Sequence, residues 1–463
     1  MSTMISLPDR QSPQTLKKVA FPFLTTSPLL DLQMLLILTP VWWVLGVDQL
    51  VWPVMLTIPT FKLLRSRNYR IHVTPTIRWL TLFTIIYLLS AFFIVNPIRI
   101  ITFLRSFSVY ITALMVITLC LECIGNQNQL MRIVDSLILV ITVAAVIGFL
   151  AITDIYRPHF STVMDSLLPN SIKSTGYGGR IAVKYVGSMS WFSWFGSFFR
   201  VRSLFMYSTH YAAALVITFP LIMFRWQVTK GLWPRMLVLL ITILVLINLA
   251  FTTARMSTLA LTAGGLYYLL FVVRERRALQ LIALFAAVIF MGTALYLSLF
   301  EPVTFNPAEQ IPAKIESFAD ARGGSTSDRM DVYRVTVKGW MERPLLGWGT
   351  ERDVEGAAYP AGSHSMYLGT LYKQGIFGFL ALVGLYIALW RELDPIRSHR
   401  NCPNRTLNLL VDYGRWVLVV FFLGSMTDTH DLDALTSMLL WTTFGILLAA
   451  SHCLRYGKQS HAV

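Results

Sequence analysis

The segment RIVDSLILVITVAAVIGFLAI, residues 132–152, decides the fold because it has no charged side chain after Asp135. An α-helix rises 1.5 Å per residue and the hydrocarbon core of a bilayer is about 30 Å thick, so an apolar run of this length crosses a membrane. The whole chain has the same character: 55% of its 463 residues are hydrophobic, 14% are charged and the mean hydropathy is +0.60. This composition excludes an ordinary soluble domain and indicates a polytopic membrane protein.

The same criterion predicts an all-α membrane protein with about twelve transmembrane helices. The second predicted span is interrupted by Pro53 and Pro59, and the eighth is short and opens at Arg255. The predicted spans cover residues 29–46, 48–64, 77–95, 101–121, 132–152, 206–224, 233–251, 256–273, 278–300, 366–390, 409–426 and 434–453.

The orientation follows from the distribution of Lys and Arg. Residues 1–28 have no apolar core of a secretory signal, so we expect this segment to stay in the cytoplasm. With this placement every short basic loop lies on the cytoplasmic side, as short loops rich in Lys and Arg generally do. These loops are KLLRSRNYR (62–70), RWQVTKGLWPR (225–235), RERR (274–277) and RELDPIRSHRNCPNR (391–405). Both termini are then cytoplasmic.

Two long external loops divide the chain, and loops of this size commonly carry function. The first has six cations and two aspartates, an excess of four positive charges that indicates an anionic partner outside. The predicted organisation is a cytoplasmic segment (1–28), five spans (29–152), a first long external loop (153–205), spans six to nine (206–300), a large external loop (301–365), and three spans with a cytoplasmic tail (366–463).

The first loop contains a run of aromatic residues, GSMSWFSWFGSFFR, at residues 187–200. Spacings of three and four between the rings predict a helix that lies in the membrane interface with aromatic surface on one side. The alternative is a packing element that caps the helical bundle.

Two arginines lie too close to the hydrocarbon to be ordinary solvated charges. Arg202 immediately precedes an apolar run, and Arg255 lies in a tight external connection between two spans. Ionisable groups at such positions usually face a bundle interior or a water-filled path. Because a guanidinium stays charged and can bind two oxygens at once, we predict that both bind phosphate. Snorkelling to the interface or structural pairing is the alternative.

The large loop ends in a predicted amphipathic helix over residues 327–341. Pro344 closes it, and a turn at Gly347 and Gly349 leads the chain towards His364. Together with the two arginines, His364 forms a candidate site for a diphosphate leaving group and a hydroxyl nucleophile. A neutral imidazole can accept the hydroxyl proton while cations stabilise the departing phosphate, and this chemistry requires no metal.

The tenth predicted span begins at residue 366, directly after the turn that carries His364, and the helix could also start at His364 itself. Gly375 and Gly378 would then follow on the same face and let a neighbouring helix approach closely. Lys373 falls about half a turn away in phase and deeper in the membrane, so its role stays open.

Four stretches resemble the bacterial O-antigen ligase and polymerase family: RVRSLFMYSTHYAAAL (200–215), TTARMSTLAL (252–261), RPLLGWGT (343–350) and HSMYLGTLYKQGIFGF (364–379). The resemblance implies a fold similar to the GT-C class and an undecaprenyl-diphosphate-linked oligosaccharide as donor, without metal, nucleotide sugar or other cofactor. It also implies that Arg202 and Arg255 bind the diphosphate and that His364 is the general base. Arg329, Arg334, Arg352 and His210 are further candidates for acceptor binding.

Within this family the two long external loops favour a polymerase of surface polysaccharide repeat units. A ligase that transfers the glycan to lipid A core is the main alternative, and transfer to protein is a third. The implied location is the bacterial inner membrane, with the active site on the periplasmic face. Expected partners are the lipid-linked glycan, the bilayer and, for a ligase, lipid A core. A chain-length regulator or another polysaccharide assembly protein is a further candidate partner, and no nucleic acid is expected.

Two interpretations come from other classes. A transporter or flippase of lipid-linked glycans would explain buried cations such as Arg105 and Lys373, but it predicts repeats and paired helix interruptions that the sequence lacks. A metal-dependent glycosyltransferase would use TDTHDLD (427–433), in which Asp431 and Asp433 have a DxD spacing beside His430. A single DxD is weak evidence for a metal, and an acidic external turn that pairs with the arginines is the preferred interpretation.

Overall fold

The computed structural model is mostly helical, as the composition predicts. It describes residues 27–67, 70–94, 96–192, 196–272, 325–355, 359–394, 404–427 and 433–456. The predicted span over residues 278–300 lies outside the described residues.

The elements follow one another in three groups. The first group contains α1 (Pro28–Ile37), α2 (Thr39–Leu45), α3 (Val51–Ser66), α4 (Pro75–Ser90), α5 (Pro97–Cys123) and α6 (Gln127–Ile152). The first long loop contains β1 (His159–Ser161), α7 (Val163–Leu167), α8 (Asn170–Lys173), α9 (Gly176–Ala182), β2 (Val183–Tyr185), β3 (Gly187–Phe192) and β4 (Gly196–Val201). The rest contains α10 (Ser208–Val228), α11 (Leu232–Thr252), α12 (Arg255–Tyr267), α13 (Ser325–Glu342), α14 (Met366–Glu392), α15 (Arg405–Gly424) and α16 (Ala434–Tyr456).

Among the described residues, eight helices are long and apolar enough to cross a membrane. The pair α1 and α2, bent by 56° at its break, makes a ninth if it is counted as one span. The predicted second and eighth spans form helices at the expected positions. However, α3 has only 16 residues, and α12 has 13 before a π-helical continuation over Tyr268–Val272. The total of twelve and the orientation therefore stay predictions.

The last helix lies at the centre of the bundle, where the whole of its most apolar window is buried. It packs on α5, while α14 packs on α4 and α12 packs on α15. Aromatic rings extend the last of these contacts, since Tyr268, in the π-helical segment after α12, stacks on Tyr413 at 4.6 Å and on Trp416 at 5.6 Å. This segment therefore also packs against α15.

Hydrogen bonds between helix termini show which ends lie together. The amide of Met366 donates to the carbonyl of Ser425 over 2.9 Å, which joins the start of α14 to the end of α15. At the opposite end, the amide of Thr76 donates to the Glu392 carboxylate over 3.0 Å. The first of these ends also carries the two long loops. We call it the loop end, and it is the end that the Lys and Arg distribution predicts to be external.

The predicted aromatic interfacial helix at residues 187–200 is wrong, because this segment forms an antiparallel β-hairpin. The strands β3 and β4 pair from Gly187 opposite Val201 to Phe192 opposite Gly196. Small and large residues alternate along Ser188 to Trp191, which is the period of a strand, and aromatic side chains favour strands. The chain is thus all-helical in its bundle but not in its first long loop.

The hairpin packs against the loop end of α6 and α11. Phe198 is buried and stacks on Phe251 at 5.1 Å, and Val201 is fully buried. At Gly187 a Cβ atom would lie 2.5 Å from the Arg200 carbonyl oxygen, so the close pairing requires glycine there. These contacts support the alternative interpretation, a packing element that caps the bundle.

The amphipathic helix predicted at residues 327–341 is confirmed as α13. The glycine turn after it is also confirmed, with φ values of +66° at Gly347 and +77° at Gly349. A Cβ atom at Gly347 would lie 2.4 Å from the carbonyl oxygen of Tyr372, so this turn packs directly on the backbone of α14.

The helix α14 begins at Met366, where the predicted span begins, with Ser365 as its N-cap, so His364 lies just outside the helix. It differs from the prediction because it is interrupted at Gly375, whose φ of 66° and ψ of −165° are not helical. The expectation that Gly375 and Gly378 continue the face of His364 is therefore wrong, because the interruption resets the helical phase.

A loop rather than a neighbouring helix fills this interruption. The amide of Ile376 donates to the carbonyl of Pro344 over 2.8 Å, and the amide of Gly349 donates to the carbonyl of Lys373 over 2.8 Å. These bonds satisfy backbone groups that the broken helix leaves without intrahelical partners. The stretch RPLLGWGT is thus bound into α14 through its main chain.

Candidate active site

His364 lies at the loop end, two residues before α14, with a left-handed φ of 58°. Tyr333 of α13 donates its hydroxyl hydrogen bond to the His364 carbonyl over 2.9 Å. The imidazole ring meets the Tyr359 ring edge-on at 4.4 Å. A left-handed conformation costs a non-glycine residue of order 1 kcal/mol, so these neighbours hold His364 against a local preference.

Arg255 is the first residue of α12 and is exposed at the loop end. It follows a sharp connection in which Thr253 has a φ of 54°. Arg200 of β4 donates from Nε to the carbonyl of Thr252 over 3.0 Å. The hairpin thereby anchors the connection that presents Arg255.

Arg202 is buried, unlike Arg255. Its Nε donates to the Tyr185 carbonyl over 2.7 Å, and one Nη donates to the Met206 carbonyl over 2.9 Å. Its guanidinium carbon lies 3.2 Å from the centre of the Tyr185 ring. Burial lowers the pKa of Arg202 to about 10, so the side chain stays charged at neutral pH. Some N–H groups of Arg202 therefore already donate to backbone carbonyls of the protein. This is what the alternative of structural pairing predicts.

The three predicted site residues lie at the starts of helices that pack on one helix. Arg202 precedes α10, Arg255 begins α12 and His364 precedes α14, and all three helices pack on α15. Each of these helices starts at the loop end, where the Met366 to Ser425 bond marks the end of α15. One histidine and two arginines therefore share one end of the bundle.

His210, a further candidate for acceptor binding, is buried in α10. Its Nδ1 lies 3.9 Å from the Asp433 carboxylate, and its ring meets Tyr207 edge-on at 4.9 Å. Asp433 also accepts hydrogen bonds from Gln49 over 2.7 Å and from Thr436 over 2.6 Å. A histidine beside a buried carboxylate is a candidate proton carrier that the sequence offered only as a sugar contact.

Sequence reasoning missed a buried ion pair next to this histidine. Lys184 of β2 donates to Asp48 over 2.6 Å, and both side chains are almost completely buried. Gln49 bridges Asp48 and Asp433, with hydrogen bonds of 3.0 and 2.7 Å. The first long loop is thereby fastened to the start of α3 and of α16. Since the partners are far apart in the sequence, no local pattern could have indicated the pair.

A second group of cations surrounds the rings near Arg202. Arg180 lies over Tyr207 at 3.8 Å, and Arg105 lies over Tyr177 at 4.5 Å. Arg180 Nη1, Arg105 Nε and the Tyr177 hydroxyl are buried, and the described residues offer them no hydrogen-bond acceptor. The positive excess of the first loop was the available signal for Arg180. Arg105, unexplained by the sequence, belongs to this group.

The further acceptor-binding candidates fall in different surroundings. Arg334 is exposed on α13 and pairs with Asp331 at 3.2 Å, and Arg329 is half-buried on the same helix. Arg352 instead lies over the Trp348 ring at 4.1 Å. Only Arg352 of these three joins an aromatic cluster at the glycine turn.

Lys373 now has a structural partner. It is 2% exposed, and its ammonium lies 4.0 Å from the Glu351 carboxylate, which is also largely buried. Glu351 follows the glycine turn that packs into the interruption of α14. A charge pair therefore accompanies the backbone bonds between the loop and this helix.

A shallow cleft of about 400 Å³ opens beside Tyr185, the residue on which Arg202 rests. Its lining includes Arg157, His159 and Phe199, with the Arg157 guanidinium 4.1 Å from the centre of the Phe199 ring. Aromatic rings with neighbouring polar groups suit a sugar chain.

The metal alternative at residues 427–433 depends mostly on residues outside the described ranges, since His430 and Asp431 are among them. Asp433 is described. One of its carboxylate oxygens accepts a hydrogen bond from Gln49, and the other accepts one from Thr436. No group of three or more His, Cys, Asp or Glu in the described part of the chain could hold a metal ion.

Comparison with known proteins bears on the motifs that contain this site. A protein-family model described as O-antigen ligase matches residues 237–383, a range that includes Arg255, Arg352 and His364 but not Arg202. No curated protein matches the chain. The family match confirms the resemblance over residues 237–383, which contain the motifs at 252–261, 343–350 and 364–379, whereas the motif at 200–215 lies outside the matched range.

Proposed function

We propose that this protein transfers a glycan from a polyprenyl diphosphate carrier to an acceptor hydroxyl at the loop end of its bundle. One observation supports the proposal: the helices that Arg202, Arg255 and His364 precede or begin all pack on α15 and start at the same end of the bundle. At that end a histidine can act as the proton acceptor and the arginines as cations for the departing phosphate. The O-antigen ligase match supports a glycan-transferring enzyme of the inner membrane. With the predicted orientation, the reaction takes place on the periplasmic face.

The proposed reaction is a single displacement. His364 takes the proton of the acceptor hydroxyl as its oxygen attacks the anomeric carbon of the donor sugar. The bond from that carbon to the diphosphate oxygen breaks, and the carrier leaves as polyprenyl diphosphate. Arg255 binds the developing charge directly, and Arg202 contributes its charge and its remaining N–H donors. Attack from the opposite side inverts the anomeric configuration.

Among the reactions of this family, we infer polymerisation of lipid-linked repeat units. Two long loops lie at the loop end, and the first has an excess of four positive charges. This charge suits a reaction in which donor and acceptor both carry diphosphates. Ligation to lipid A core is the second candidate, and the description of the matching family model favours it.

One incubation separates these functions. The purified full-length protein in detergent is supplied with an undecaprenyl-diphosphate-linked repeat unit and no other acceptor, and the products are separated by size. A ladder of longer lipid-linked glycans supports the polymerase. Transfer that requires added lipid A core identifies a ligase and contradicts polymerisation. Absence of transfer with either acceptor, together with movement of the lipid across proteoliposome membranes, would identify a flippase instead.

Arg255→Ala is expected to reduce glycan transfer by about 10²- to 10³-fold, the usual cost of removing one group that stabilises developing charge. Arg255→Lys should fall between this variant and the unchanged protein, because it keeps the charge but loses the planar fork. The measurement is the initial rate of transfer with saturating lipid-linked donor.

Lys338→Ala is the control, since Lys338 is an exposed cation on α13 at the same end of the bundle. It should transfer glycan at the unchanged rate. If Arg255→Ala retains more than about a third of the activity, Arg255 does not bind the diphosphate in the transition state.

A further inference from the structure

A separate group of arginines, distinct from Arg202, Arg180 and Arg105, gathers around Trp348 at the loop end. The guanidinium carbons of Arg343 and Arg352 lie 4.0 and 4.1 Å from the centre of its ring. Arg99, near the start of α5, donates from Nη2 to the Trp348 carbonyl over 2.8 Å. We call Arg99, Arg343 and Arg352 the tryptophan-bound arginines.

The platform that holds these arginines is rigid. The indole nitrogen of Trp348 donates to the Gly339 carbonyl over 2.8 Å, and its amide donates to the Tyr372 carbonyl over 2.9 Å. Arg352 also forms a side-chain hydrogen bond with Tyr372. At Gly349 a Cβ atom would lie 2.8 Å from the carbonyl oxygen of Ser90, so the end of α4 packs closely against the turn. The cluster is therefore positioned before any ligand arrives, which reduces the entropy cost of binding.

Two described carboxylates adjoin the cluster in the chain, Glu342 before Arg343 and Glu351 before Arg352. Glu351 faces Lys373 at 4.0 Å, and Glu342 is exposed at the end of α13. Arg99 Nε and Arg343 Nη1 are buried, and no described residue accepts a hydrogen bond from them. Holding like charges and unsatisfied donors together is costly, and an anion that accepts these bonds removes the cost.

The surroundings indicate where this anion comes from. Next to Arg99, large apolar side chains point outwards: Phe92 is 83% exposed, Ile101 57% and Leu104 55%. In a membrane these side chains face lipid. A phosphate carried on a polyprenyl chain could place its head on the arginines and its tail along α4 and α5.

We propose that the tryptophan-bound arginines form a second anion site, which binds the phosphate groups of a lipid-linked acceptor. The inference rests on the proposed function, because an acceptor with its own phosphates is needed beside the donor held at Arg255 and Arg202. Arg343 opens the stretch RPLLGWGT, and Arg352 follows it closely. This stretch thereby positions the acceptor and also fills the interruption of α14 at Gly375.

The test counts bound lipids on the full-length protein by native mass spectrometry. Polyprenyl diphosphate without sugar is the probe, and polyprenol and inorganic diphosphate are the comparison ligands. The unchanged protein should bind two polyprenyl diphosphates. The double variant that combines Arg343→Gln and Arg352→Gln should bind one of them at least about tenfold more weakly. Arg255→Ala should weaken the other.

Lys338→Gln is the charge-matched control and should keep both lipids. The proposal is overturned if the double variant binds both lipids with dissociation constants within twofold of the unchanged protein. It is also overturned if inorganic diphosphate displaces the lipid from the second site at equal concentration, because the ligand would then be a soluble anion. Arg352→Lys should recover part of the binding, since a point charge remains.

The experiments distinguish a failure of the second anion site from a failure of the proposed glycan transfer. His364→Asn should bind two lipids and transfer no glycan. If the unchanged protein binds two lipids but transfers to no acceptor, the proposed transfer is wrong and the second anion site stands. If transfer proceeds normally in the Arg343 and Arg352 double variant with unchanged Michaelis constant for acceptor, the site is wrong and the transfer stands.

Discussion

Replacement of His364 by asparagine should reduce glycan transfer by about 10²- to 10⁴-fold, the usual contribution of a general base. Asparagine tolerates the left-handed backbone conformation that His364 adopts, with its φ of 58°, so the turn before α14 should be kept. The loss then reports the missing imidazole rather than a disturbed fold. Initial rates of transfer and the thermal midpoint of unfolding measure these two effects separately.

The pH dependence gives an independent check of the same role. A protonated imidazole cannot accept the acceptor proton, so transfer by the unchanged protein should decrease in acid. The residual activity of His364→Asn should lack this decrease. His72→Ala is the matched control because His72 is an exposed histidine at the opposite end of the bundle. If His364→Asn transfers at the unchanged rate, another base acts, and His210 beside Asp433 would be the first to examine.

Gly375→Ala should destabilise the protein by at least about 3 kcal/mol. The backbone of Gly375, with φ of 66° and ψ of −165°, lies in a region that is essentially restricted to glycine. The added Cβ would also lie 2.2 Å from the carbonyl carbon and oxygen of Leu345. These atoms are backbone and cannot rotate away. A lower thermal midpoint and a lower yield of folded protein in detergent are the expected results.

Gly424→Ala provides the comparison for this variant. Gly424 is the last residue of α15, and a Cβ atom there would meet nothing within 4 Å. The substitution should be neutral or slightly stabilising, because alanine is the better helix former. An unchanged thermal midpoint for Gly375→Ala would mean that α14 is continuous and that the RPLLGWGT stretch does not enter it.

Much of the bundle could be predicted because a membrane leaves few choices to an apolar chain. Backbone groups in hydrocarbon must be satisfied within a helix, so a long apolar run such as residues 132–152 specifies α6 almost by itself. The amphipathic helix α13 and the turn at Gly347 and Gly349 followed from similarly local signals. The order of the motifs was enough to indicate the family that the comparison confirms over residues 237–383.

The first long loop was predicted less well. Its aromatic run has both the three-to-four spacing of a helix and the alternation of a strand, and the rings alone do not choose between them. Pairing between the two strands and the packing of Phe198 on Phe251 stabilise the hairpin rather than a helix. The partners of Arg202 depend on the same loop, since Tyr185 and Met206 acquire their positions only after it folds.

By itself, the sequence determined that the chain spans a membrane repeatedly, which end of the bundle is predicted to be external, and that Arg202, Arg255 and His364 belong to that end. The tertiary structure alone decided that α14 is interrupted at Gly375, that Lys373 faces Glu351, and that Arg99 meets Arg343 and Arg352 on Trp348. The physical reason is the range of the interactions. Apolar runs, caps and glycine turns act between near neighbours in the chain, whereas these contacts join segments that only the packing of the helices brings together.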